Sequence, residues 1–114
     1  MNAIYKIVSA AEWRAAEAAG VFTGAAVDHT DGFIHFSTAG QAQETAAKHF
    51  AGQSDLLLVA VDAARLGDAL KWEVSRGGAL FPHLYAPLSL DLVTKVAPLP
   101  LAADGAHDFA GLLA

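Results

Sequence analysis

The chain has no cysteine, which excludes a disulfide framework, a thiolate metal site and a cysteine nucleophile. Hydroxyls, carboxylates and lysines remain as candidate nucleophiles. Basic residues are also few: seven Lys and Arg stand against twelve Asp and Glu, for a formal charge of −5. They are scattered singly, so the sequence lacks the basic patch that a phosphate backbone requires, and no nucleic-acid partner is expected. Hydrophobic residues make up 54% of the chain, but Ala supplies much of this and no run approaches the roughly 20 apolar residues that span a bilayer. The start, Met1-Asn2-Ala3-Ile4-Tyr5-Lys6, lacks the basic-then-apolar signature of a signal peptide. The expectation is a soluble cytoplasmic protein with no membrane partner. Equally absent are a Gly-rich phosphate loop, a nucleophile elbow and a dinucleotide fingerprint.

A chain of 114 residues suits one domain, and a domain of this size buries roughly two-thirds of the surface its unfolded chain exposes. The expectation is a single domain over 1–114, with a compact core over 3–100 and a tail over 101–114 packed on the surface. There is no internal repeat, linker or low-complexity segment.

Ile4-Tyr5-Lys6-Ile7-Val8 is β-branched and aromatic and reads as a first strand. Ser9-Ala10-Ala11-Glu12 has the spacing of a capping box, so a helix is predicted from about Ala10 to Ala19, ended by Gly20. Val21 to Val27 reads as a loop with a short strand. Asp28-His29-Thr30-Asp31-Gly32 is turn-rich, and Phe33 to Phe36 follows as a second strand. Thr38-Ala39-Gly40-Gln41 repeats the capping spacing, opening a helix to about Ala51 that Gly52 closes. Asp55 to Asp62 is an unbroken apolar run, as in a strand covered on both faces. Asp62 to Gly67 reads as one helical turn capped by Asp62, and Leu70 to Val74 as a strand. A turn is expected over Ser75 to Gly78, then an irregular extended piece over Leu80 to Tyr85. Leu90 to Val96 reads as a last strand, and from Ala97 a tail is expected, anchored by Phe109, Leu112 and Leu113. This order fits an α+β domain better than a doubly wound sheet.

Two segments carry most of the candidate chemistry. In Asp31-Gly32-Phe33-Ile34-His35-Phe36-Ser37-Thr38, alternation places Phe33, His35 and Ser37 on one side. Such a histidine can bond a ribose hydroxyl or phosphate, act as acid or base, or ligate metal. The plain alternative is a half-buried ring satisfied by a backbone carbonyl. One of Ser37 and Thr38 is expected to cap the following helix, a role compatible with binding an anion at the helix start.

In Phe81-Pro82-His83-Leu84-Tyr85-Ala86-Pro87, His83 and Tyr85 share a face that the prolines hold in shape, as in a binding wall. An edge segment with a solvated His would look the same. Glu73, mid-strand beside Trp72, is the best carboxylate candidate, with a solvent-facing strand residue as its alternative. Lys6 is central in the first strand, where an unpaired buried charge would be costly, so it belongs on a wet face or in a cleft. Two imidazoles and a carboxylate (His35, His83, Glu73) can form a catalytic zinc set, but no H-x-x-x-H or H-E-x-x-H spacing accompanies them, and no metal ligand is assigned. His29, His49 and His107 read as surface residues.

With these residues laid out, the chain resembles a small bacterial family catalogued as domain of unknown function nine-five-two. The resemblance lies in Ile4-Tyr5-Lys6-Ile7, Glu12-Trp13, Gly32 to Thr38, Asp62 to Gly67, Trp72-Glu73 and Phe81 to Leu88, and spans most of 3–100. It implies a fold similar to that of ADP-ribosyltransferases, an α+β domain with a split mixed or antiparallel sheet, two main helices and a cleft that in relatives holds NAD. In those enzymes a His or Arg on the first strand and a hydroxyl residue on a later strand hold the dinucleotide, while a Glu engages the nicotinamide ribose. By resemblance Lys6 takes the first position, His35 with Ser37 the second, and Glu73 or His83 the last.

The ligand implied is NAD or an ADP-ribose-type nucleotide, with transferase or hydrolase activity. Lys6, His35, Ser37, Thr38 and Tyr85 would bind it, and His35, Glu73 and His83 would carry the chemistry. Lys6 stands where the resemblance leads one to expect His. A lysine contacts phosphate as a point charge but cannot switch tautomer. The alternatives are a non-catalytic module that binds a small ligand or a protein, and a metal-dependent enzyme using two His and a Glu.

Overall fold

A computed structural model describes residues 2–75 and 78–113. Strand β1 (Ala3–Ser9) leads into helix α1 (Ala10–Ala19), whose start is fixed by Ser9: its Oγ accepts from the Glu12 N–H at 3.1 Å. Gly20, at φ 82°, ends the helix in the left-handed conformation that glycine adopts without steric cost. Then follow β2 (Val21–Phe22), α2 (Ala26–Asp31), β3 (Ile34–His35), β4 (Ser37–Thr38), α3 (Ala39–His49), β5 (Leu56–Asp62), β6 (Leu70–Ser75), β7 (Ala79–Leu84), β8 (Leu88–Ser89) and β9 (Val93–Leu99). Among the described residues the fold is α+β, with three α-helices and antiparallel strand pairings throughout.

The strands form sheets of order β4-β1-β5-β9, β3-β7-β6 and β2-β8. In the largest, β1 and β5 are central, and alternation sends their side chains to two separate cores. Ile4, Val8, Val59 and Val61 face Trp13 of α1, Phe22, Phe36 and Leu88. Tyr5, Ile7, Leu56 and Leu58 face Ala42 and Ala46 of α3, with Phe109 from the C-terminal segment. Burial on both faces explains why β5 reads as an unbroken apolar run, each large aliphatic side chain contributing about 1.5–3 kcal/mol.

Four expectations are corrected. The turn-rich 28–32 segment lies mostly in helix α2, which Gly32 at φ 88° closes. The strand expected over Phe33 to Phe36 is two short strands broken at Phe36, because β3 pairs with β7 (His35↔His83) and β4 pairs with β1 (Tyr5↔Ser37). Pro82 accounts for the break. Its carbonyl accepts from the Phe36 N–H at 3.0 Å, but having no N–H it cannot return the bond, so the ladder ends there. The piece expected to be irregular over Leu80 to Tyr85 is regular strand β7 as far as Leu84, with Tyr85 just beyond it, since Pro82 faces Trp72 at a position of the β6 pairing that its missing N–H does not interrupt. The last strand starts at Val93 after a 3₁₀ turn and runs through Pro98 to Leu99, where a proline is tolerated because β9 is an edge. The Ala97-Pro98-Leu99 stretch is thus sheet, not tail. Part of the turn expected over Ser75 to Gly78 lies outside the described residues.

Candidate active site

The segment 33–38 pairs with β1 only at Ile4↔Thr38 and Tyr5↔Ser37, and beyond Tyr5 the two diverge toward different sheets. A cavity of about 470 Å³ opens at this divergence, lined by residues that include Tyr5, Lys6, His35, Ser37, Thr45 and His49. Its volume is in the range typical of small-molecule sites, roughly 300–1,000 Å³.

Behind the cavity, Asp28 organises the polar side chains. It is 2% exposed and accepts from the Lys6 ammonium at 2.8 Å, the His35 backbone N–H at 3.1 Å and His35 Nδ1 at 2.6 Å, all on Oδ1, and from the Ala25 N–H at 2.7 Å on Oδ2. Burial works to raise its pKa, but the bond from His35 and the Lys6 charge outweigh it and hold the carboxyl at about 2. An ionised carboxylate only accepts, so Nδ1 of His35 is a donor. Burial pushes the Lys6 ammonium below its usual value, against the pull of Asp28. Lys6 therefore lies at the cleft, as one reading of the sequence had it, with its charge engaged by Asp28.

A second cluster adjoins the first. His83 lies opposite His35 in the β3–β7 register, with ring centroids 5.5 Å apart. Phe33 stacks on His83 at 4.1 Å and lies 4.5 Å from His35 and 5.2 Å from Tyr85. Glu73 Oε1 accepts from Tyr85 Oη at 2.7 Å and lies 2.9 Å from His83 Nδ1. These bonds, that from Tyr85 foremost, hold the Glu73 carboxyl below the usual carboxylate range and push the Tyr85 phenol up. Ser75, two residues along β6 from Glu73, lines the cavity.

The fold thus gathers Lys6, His35 and Ser37 at the cavity wall and places Glu73, His83 and Tyr85 in the adjoining cluster, none of these three being among the residues that line the cavity. Ser37 is buried and its hydroxyl pairs with that of Thr45 at 2.9 Å. Thr38 is the residue that caps α3, its N–H donating to Gln41 Oε1 at 3.1 Å, and it is not among the cavity-lining residues. His49, read as a surface residue, is exposed but lines the cavity. Phe33 joins His35 as the alternation predicts, whereas Asp28, Asp31 and Thr45 are site residues that the sequence reading does not single out. For Asp28 a signal existed: a lysine in mid-strand needs a counter-ion. Among the described residues no group of three or more His, Cys, Asp or Glu could hold a metal ion. No helix among them is long and apolar enough to cross a membrane.

The comparisons agree with this architecture. Residues 7–96 match the family described as Protein of unknown function (DUF952), and the chain belongs to that family. The X-ray structure of protein CC0527 from Caulobacter crescentus is 60% identical, with 95% of each chain covered and a TM-score of 0.91. The solution NMR structure of CC0527 matches at 60% identity over 100% of this chain and 98% of that one, with a TM-score of 0.89. No curated protein matches the chain.

Proposed function

We propose that the cleft between β1 and the 33–38 segment binds NAD or an ADP-ribose-type nucleotide, in a split-sheet fold similar to that of ADP-ribosyltransferases. The observation that carries this reading is the divergence itself: one segment is shared between two sheets, and the gap is lined by hydroxyls, imidazoles and aromatic rings. Aromatic surface suits a base or nicotinamide ring, and Ser37 and His35 suit ribose hydroxyls.

In this reading Glu73, held ionised by Tyr85 and His83, stabilises positive charge developing on the ribose as nicotinamide departs. His35 and His83 position the ligand. Lys6, with its ammonium on Asp28, supports the site from beneath, and direct phosphate contact is not needed from it.

Titrating the labelled protein with NAD and with ADP-ribose, while following nicotinamide release by chromatography, tests this. Saturable amide shifts confined to the cavity, lost in His35→Ala and with turnover abolished in Glu73→Gln, are expected. No saturable shift with either nucleotide would remove the reading. A second reading, binding without turnover, is favoured by the engagement of Glu73 Oε1 by two donors. It predicts saturable shifts with no nicotinamide released.

A further inference from the structure

Strand β6 is an edge of the β3-β7-β6 sheet. It holds no proline, and its pairing with β7 runs from Leu70↔Leu84 to Ser75↔Ala79 without a register shift, so it lacks two of the devices that keep natural edges from pairing with another chain. The Pro82 carbonyl is turned to Phe36, away from β6. Trp72, opposite Pro82, therefore stands at a non-hydrogen-bonded position and turns its own N–H and C=O outward. Alternation gives Leu70 and Val74 the same outward sense. The Leu70 N–H is taken up by the Gly67 carbonyl, which leaves the N–H groups of Trp72 and Val74 and the carbonyls of Leu70 and Trp72 without partners among the described residues. The edge is also apolar: Trp72 is 46% exposed, Val74 70% and Leu80, which faces Val74 across the β6–β7 pair, 52%. On the opposite face Lys71 is exposed and Glu73 half-buried, both Glu73 bonds ending on Oε1.

We infer that β6 is a homodimer interface, pairing antiparallel with β6 of a second copy about a two-fold axis at Trp72. Leu70-Lys71-Trp72-Glu73-Val74 is self-complementary about that centre. Turned end for end, it sets Lys71 against the partner's Glu73, Leu70 against the partner's Val74 and Trp72 against the partner's Trp72. The backbone agrees with this register: the Trp72 N–H donates to the carbonyl of the partner's Trp72 and the Val74 N–H to that of the partner's Leu70, each bond repeated by the symmetry. Moving the axis by one residue either way still brings outward groups together, but sets Lys71 against the partner's Lys71 or Glu73 against the partner's Glu73, and like charges directly opposite are destabilising. Charge complementarity thus selects the Trp72 register, and it selects a second copy over an unrelated strand because one segment supplies both halves. On one face the pairing covers Trp72, Val74 and Leu80, the apolar surface left open at this edge. On the other the partner's Lys71 reaches Oε2 of Glu73, so the second copy adds a cation to the cluster of Glu73, His83 and Tyr85 beside the cleft.

Sedimentation equilibrium of the full chain between about 1 μM and about 1 mM should show a monomer–dimer equilibrium. Lys71→Glu sets acid against acid on both sides of the axis and should weaken the dimer by about tenfold or more. Glu73→Lys alone should do the same, and an equimolar mixture of the two variants should recover a heterodimer, because each then carries the charge that the other lacks. A monomer at every concentration, or a dimer indifferent to Lys71→Glu, would overturn the inference. Amide exchange in the wild type tests it without any variant, and so covers a failure of Glu73→Lys to fold. The N–H groups of Trp72 and Val74 should exchange slowly in concentrated protein and quickly on dilution, whereas those of Lys71 and Glu73, turned inward to β7, should exchange alike in both. A dimer whose Trp72 and Val74 amides stay unprotected would place the contact elsewhere and overturn the inference. Protection of those amides in a monomer by an added extended peptide would likewise overturn it and reassign the edge to another partner. None of these measurements needs a nucleotide, so they succeed or fail apart from the cleft reading.

Discussion

The Lys6 ammonium and the Asp28 carboxylate meet at 2.8 Å with side chains 4% and 1% exposed. The pair joins the central sheet to α2 beneath the cleft. Removing one member of a buried ion pair leaves the other charge uncompensated, at a cost of about 3–5 kcal/mol. The two single replacements are not equivalent. Asp28→Ala strands the ammonium and also releases the Ala25 N–H and both His35 donors, so it should fall at the upper end of that range. Lys6→Met leaves a carboxylate that still accepts from those three donors and should cost less. Denaturant unfolding of both variants checks the order, and a larger loss in Lys6→Met would sink this account of Asp28 as the hub.

The same carboxylate sets an acid limit on stability. Its folded pKa is depressed from 3.8 to about 2, so its contribution is complete above the unfolded value and is lost as pH falls through the folded one. The amount is about 2 kcal/mol by linkage. Unfolding free energy, followed by the fluorescence of buried Trp13, should drop between about pH 4 and pH 2. An Asp28→Asn variant should show a shallower decline over that window. Equal slopes would show that other carboxylates govern the acid limit.

Much of this arrangement can be read from the order of residues, and the rest depends on tertiary pairing. The α1 cap at Ser9 and Glu12, the Gly20 stop and the buried strand β5 follow from local chemistry, because a side chain three residues away or an unbroken apolar run determines them. Alternation also places His35 with Ser37 and His83 with Tyr85. Local pattern cannot reveal that Asp28 lies under Lys6, since the two are 22 positions apart and Asp28 sits in a segment whose composition signals a turn. Nor can it reveal that the second strand changes sheets at Phe36, which depends on the missing N–H of Pro82. Prolines misled at β9 for a related reason: edge strands tolerate them, and whether a strand is an edge is a property of the whole sheet.

Gly24 provides a test of how tightly Asp28 is held. It has φ 122°, and a Cβ placed there would lie 2.9 Å from Asp28 Cβ, closer than side chains approach without displacement. The backbone strain of Gly24→Ala alone is worth about 1–3 kcal/mol, and the contact adds to it by pushing the carboxylate off its donors. The expected result is a loss of stability accompanied by perturbed His35 ring resonances. Destabilisation that leaves those resonances in place would mean that the loop yields and the hub does not.

Tyr85 and Glu73 offer the clearest separation of electrostatics from packing at the site. The phenol donates to Glu73 Oε1 at 2.7 Å, and this bond is the leading cause of the depressed Glu73 pKa, ahead of the bond from His83. Tyr85→Phe keeps the ring near Phe33 and removes only the donor, so the Glu73 pKa should rise toward the ordinary carboxylate range while His83 remains in place. Carbon-detected titration of the Glu73 carboxyl reads this directly. If the cleft turns over NAD, the acid limb of its rate profile should move to higher pH by the same amount, because the ionised carboxylate is the form that stabilises positive charge. An unchanged Glu73 titration in Tyr85→Phe would show that the phenol does not hold the carboxylate in solution, and would remove the basis for a tuned carboxylate at this position.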